Sequence, residues 1–94
     1  MATYQIVAWK GIPSSVEAED GADSAIVQLS ERFQMLIDSV AMRLGLSDSE
    51  AYIELWSRED PQERPGKARE VAAAVAAELE TRFSEFAADA LGES

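Results

Sequence analysis

The sequence predicts an α+β fold, a three-stranded antiparallel meander followed by three helices packed on one face. Two observations carry this reading. β-branched and aromatic residues, with stretches of period-2 alternation, fill the first thirty positions, and from Ser30 onward the apolar spacing switches to the helical period. Strands grouped ahead of helices favour a sheet covered by helices over alternating βαβ units. A chain of 94 residues has enough surface to bury for one modest core, so a single domain over 1–94 is expected.

The first strand is expected over 3–10. Tyr4, Ile6, Val7 and Trp9 put apolar groups on both sides of it, which suits a strand covered on more than one face. Gly11-Ile12-Pro13 breaks the run, because Pro13 has no backbone donor and biases Ile12 to extended geometry. Over 14–19, Val16 and Ala18 alternate with Ser15, Glu17 and Glu19, the pattern of a half-buried second strand. Asp20-Gly21 marks a hairpin tip, and a third strand follows over 24–29.

The first helix is expected over 31–44. Phe33, Leu36, Ile37, Val40 and Leu44 fall on one stripe, and Gly45 stands where a left-handed C-cap is needed. Ser47 and Glu50 fit a capping box, so a second helix is expected over 48–58 with Tyr52, Leu55 and Trp56 inward. Positions 59–66 hold two prolines and a glycine among charges and read as a connecting loop. The third helix is expected over 67–91, with Val71, Val75, Leu79, Phe83, Phe86 and Ala90 as its stripe. Its many alanines favour helix propensity and close approach to a neighbour.

Composition removes most reaction classes. There is no Cys and no His, so disulfides, thiolate nucleophiles, the usual zinc sites and the side chain that titrates unperturbed near neutrality are all missing. No serine has a histidine to activate it, and neither a Rossmann fingerprint nor a P-loop occurs. Carboxylates are abundant, but Glu17, Glu19, Asp20 and Asp23 do not have EF-hand spacing and read as a solvated acidic hairpin. The expectation is a chain that is not an enzyme, with no catalytic residue, no metal and no cofactor to assign. Net charge −10 repels nucleic acid and anionic lipid. No apolar run is long enough to span a bilayer and no secretory signal is seen, so a cytoplasmic location is the default expectation.

What remains points to a protein partner. Trp9 and Lys10 sit beside a rigid turn, and Trp56 and Arg58 end the predicted second helix. Aromatic anchors next to cations are what interfaces favour. The competing reading is that both indoles close the core with the cations at its rim. Arg43 joins the candidate interface set because Asp38 is five positions away and is not its natural helical neighbour, so its partner lies elsewhere.

Several ordered blocks resemble a known family. Tyr4 to Pro13, Leu29 to Phe33, Ile37-Asp38, Ala41-Met42-Arg43, Ala51-Tyr52 and Trp56 are similar to the small bacterial virulence factor domain, a resemblance covering roughly residues 4–57. The family's name describes association with a larger virulence-related protein and not a reaction. The resemblance implies an accessory or scaffold-like role, foremost a non-catalytic protein-binding or adaptor module. Its alternative is a small accessory or ligand-binding subunit of a corrinoid- and folate-dependent one-carbon methyl-transfer system, since such domains are often encoded beside those enzymes. It leaves room for a homo-oligomer.

Overall fold

The computed structural model describes residues 1–46 and 49–92. Its strands are β1 (Ala2–Trp9), β2 (Ile12–Glu19), β3 (Ser24–Gln28), β4 (Trp56–Arg58) and β5 (Gln62–Arg64). Its helices are α1 (Glu31–Arg43), α2 (Glu50–Glu54), α3 (Ala68–Thr81) and α4 (Phe83–Ala90). The α+β class and the antiparallel β1-β2-β3 meander are as expected, but the described sheet has five strands in the order β3-β2-β1-β4, with β5 also on β1.

The first hairpin turns at Lys10 and Gly11, not at Gly11-Ile12-Pro13. Both have positive φ, 51° and 84°, the requirement of a type I′ turn whose twist matches that of the strands. Pro13 lies within β2 where the register shifts by one residue, so its missing donor falls at a bulge.

The largest departure lies between 48 and 66. The second helix stops at Glu54, and Trp56 pairs with Trp9, Ser57 with Ala8 and Arg58 with Val7. The expected loop then supplies β5, pairing Gln62, Glu63 and Arg64 with Tyr4, Thr3 and Ala2. β4 and β5 run the same way along β1 with a one-residue register change at Glu59–Pro61, so together they form one bulged edge strand. The reason is backbone accounting. Central β1 has donors and acceptors facing away from β2, and in a buried strand these must be paired, which overrides the helical pattern of Tyr52, Leu55 and Trp56. The Lys10 amide donates to the Leu55 carbonyl (3.1 Å) and extends the pairing. The expected capping serine, Ser47, lies outside the described residues; Ser49 is the N-cap, its Oγ accepting from the Tyr52 amide at 3.4 Å.

The expected third helix breaks at Arg82. Twenty-five helical residues would extend about 37 Å, whereas eight-residue β1 spans about 26 Å. α3 ends where its sheet ends, and the break lets α4 fold back onto α1. Two apolar clusters result. In the first, Ala2, Val16 and Ala18 with Tyr4, Ile6, Ala25 and Val27 meet Val71, Ala72, Val75 and Leu79 of α3. In the second, Trp9 and Ile12 meet Phe33, Leu36, Ile37, Val40 and Ala41 of α1, closed by Phe83 and Phe86 of α4. One strand feeds both clusters, Tyr4 and Ile6 the first and Trp9 the second, and Leu29 and Phe86 pack against both, so the helices form two joined packing centres and not the expected continuous layer of three. Leu44 was expected in the α1 stripe but is 51% exposed at the C-cap, and Ala41 takes its place.

Candidate functional site

The candidate interface residues do not converge on one surface. Trp9 is 0% exposed, and its Nε1 donates to the Tyr52 carbonyl at 2.7 Å, so this indole is core and offers no docking surface. A side chain opposite Trp56 in the ladder and beneath α2 has no route to solvent. Trp56 is half-buried, edge-on to Tyr52 with centroids 6.3 Å apart. Lys10 is exposed at the hairpin tip. Arg43 donates to the Leu91 carbonyl (3.2 Å), tying the end of α1 to the end of α4. Arg58 lies across the sheet on Glu17, with Nε to Oε1 at 2.9 Å and Nη2 to Oε2 at 3.2 Å.

Charged groups that looked free in the sequence are joints between elements. Asp20 is not merely solvated: Oδ1 accepts the amides of Ala22 and Asp23, and Oδ2 accepts that of Ala68, the first residue of α3. The Ala68 amide, then those of Asp23 and Ala22, pull its pKa down to about 2. The hairpin tip is thereby fastened to the positive end of α3. Glu80, near the other end of α3, accepts from the amide and hydroxyl of Ser30 (2.6 and 2.8 Å) and from Arg32 (3.1 Å). Burial acts to raise the Glu80 carboxyl, but the Ser30 and Arg32 donors outweigh it and the group sits below its usual range. Arg64 grips Glu78 through both oxygens at 3.1 and 2.6 Å, joining β5 to α3 and lowering the carboxyl. These bidentate pairs orient elements more than they stabilise them. The sequence signalled only the local half of the Asp20 joint, in its Asp-Gly turn.

Exposed apolar side chains of α1 and α2 include Met35, Met42 and Ile53, and Ile26 is exposed on β3. Met35 and Met42 are 62% and 68% exposed, on one helical face with Asp38 between them. Asp38, Ala41, Met42 and Tyr52 line a groove of about 330 Å³. Trp9 supports the Tyr52 ring from below, with centroids 5.4 Å apart. Asp38 is held by Gln34 Nε2 at 3.0 Å. Sequence reasoning missed this groove because the methionines fall off the core stripe and Tyr52 was assigned inward. Among the described residues, no group of three or more His, Cys, Asp or Glu side chains gathers as a metal site would require, and no helix is long and apolar enough to cross a membrane.

The virulence factor family model matches residues 7–91. The chain belongs to that family. The match runs beyond residue 57, where the sequence resemblance ended, through both alanine-rich helices. Comparison with curated proteins and with solved structures gives no match. In this virulence factor domain, the groove is therefore read from its own residues.

Proposed function

We propose that this virulence factor domain is a non-catalytic protein-binding module whose partner seats on the α1–α2 groove. The observation that supports the reading is the exposure of Met42, which lines the groove with Asp38 and the aromatic floor of Tyr52, with Met35 exposed on the same helical face one turn before Asp38. Methionines are polarisable and unbranched and adapt to a partner's shape, and aromatic floors supply anchoring area. The charged side chains with displaced pKa values, where binding or catalytic chemistry is often sought, hold elements together instead. Arg43 and Trp56 flank this end of the fold and serve as its rim.

The test is affinity capture from the native host with wild type, a Met35→Asp/Met42→Asp double variant, and an Ala73→Asp control on the exposed side of α3. One protein captured by wild type and the control but lost with the double variant is the expected result. Equal capture by all three removes the groove from the account.

A further inference from the structure

The two edges of the sheet differ sharply. The β4–β5 edge carries Arg58, Glu59, Asp60, Pro61, Glu63 and Arg64 and is bulged, the devices that block addition of a further strand. β3 closes the opposite side as Ser-Ala-Ile-Val-Gln, with no charge, no proline and no register shift. Its backbone polarity follows from two flanking bonds. The Asp20 amide donates to the Asp23 carbonyl (3.0 Å) and the Leu29 amide to the Ser14 carbonyl (2.9 Å), in the same ladder as the Ala25–Ala18 and Val27–Val16 pairs. Ala25 and Val27 therefore turn their N–H and C=O groups to β2, and Ser24, Ile26 and Gln28 turn theirs outward. Ile26, at the centre, is 67% exposed.

The sequence around this edge is acidic, although Arg58 already pairs with Glu17 and the Ala68 amide with Asp20. From Gly11 to Glu31 there are five carboxylates and no Lys or Arg. Beside β3, on the side of the sheet away from α3, Glu17, Glu19, Ser24 and Ile26 help line a cavity of about 310 Å³. Glu19 has no ion-pair partner among the described residues. We propose that β3 is a docking edge for an extended segment of a partner protein in which Lys or Arg alternates with small aliphatic residues. The segment joins the sheet as its next strand, bonded to the outward groups of Ser24, Ile26 and Gln28. Its cations reach Glu19, since Glu17 is already held by Arg58, and its aliphatic residues continue the row of Ala25 and Val27. A second copy of this chain fits less well, because two acidic hairpins would be brought together. The proposal rests on the protein-binding reading but uses a different surface from the groove.

The test uses the whole protein and a synthetic peptide of about eight residues alternating lysine and valine, followed by fluorescence anisotropy and amide exchange. Binding is expected to fall about tenfold when salt is raised severalfold, and about tenfold or more when glutamate replaces lysine or when proline replaces alternate valines. Amides of Ser24, Ile26 and Gln28 gain protection, while those of Ala25 and Val27, already bonded to β2, change little. Ile26→Pro removes an outward donor only and abolishes binding, whereas Met35→Asp/Met42→Asp leaves it intact. Equal affinity for the proline-interrupted peptide, or protection gained elsewhere, reduces the effect to bulk charge attraction and overturns the proposal. So does concentration-dependent protection of the same three amides without peptide, which makes a second copy the occupant.

Discussion

Replacing Trp9 tests whether the indole belongs to the core. The side chain is fully shielded, and a buried indole removes roughly 150–250 Å² from water, worth about 4–6 kcal/mol at 25 cal/mol/Å². Partial relaxation brings the expected cost of Trp9→Ala to about 3–5 kcal/mol. The whole domain holds only about 5–14 kcal/mol at its length, so this variant loses a large share of its stability. Trp9→Phe keeps most of the volume but leaves the Tyr52 carbonyl without its 2.7 Å donor, a cost of about 1–3 kcal/mol. Urea unfolding followed by far-ultraviolet circular dichroism measures both, since an m-value near 1 kcal/mol/M turns the phenylalanine effect into a midpoint shift of about 1–3 M. In a Trp56→Phe background, the remaining Trp9 emission should resist acrylamide. Trp9→Ala within about 0.5 kcal/mol of wild type, or an indole readily quenched, would refute the core assignment and return Trp9 to the interface.

Three further outcomes follow from the geometry. Ile37→Ala, at the centre of the second cluster, should cost about 2–5 kcal/mol, whereas exposed Gln34→Ala should stay within about 0.5 kcal/mol; equal urea midpoints would mean the α1 faces are misassigned. Glu80→Ala should lower stability by about 1–2 kcal/mol by uncapping α1 at Ser30, read as a melting shift of about 4–8 °C per kcal/mol, and an unchanged melt would show that the joint is idle. The Asp20 carboxyl titrates near 2 in the folded chain against 3.8 ordinarily, so its contribution is fully present above that ordinary value and disappears as pH falls toward 2. From neutral to acid pH the urea midpoint should fall less for Asp20→Asn than for wild type, and identical pH slopes would contradict the Ala68 joint.

Local periodicity made much of the fold legible. The alternation through Val16 and Ala18, the Asp-Gly tip and the Phe33-to-Val40 stripe each depend on near neighbours, and each stands in the structure. Trp56 to Arg64 was not legible, because its strand character arises from the unpaired side of β1, more than forty positions away. The break at Arg82 depends on the length of the sheet beneath α3, which no helix pattern encodes. The site was less accessible still. Tryptophans beside cations suggested an interface, but Trp9 became the support for Tyr52, and the exposed surface fell to methionines that a core-stripe reading sets aside. Asp20 looked like a solvated acid because its α3 partner, Ala68, is close only after folding, and the Ser30 partner of Glu80 is just as distant in the sequence.

The most direct measurement of the central claim is site-specific photo-cross-linking in the native host, with a photoreactive side chain placed in turn at Met35, Met42 and Ala73. All three positions are exposed, so each variant should fold. The account predicts one cross-linked protein, shared by positions 35 and 42 and absent at 73. Cross-links distributed equally over all three positions, or the same protein caught at 73 alone, would contradict a partner seated on the α1–α2 groove.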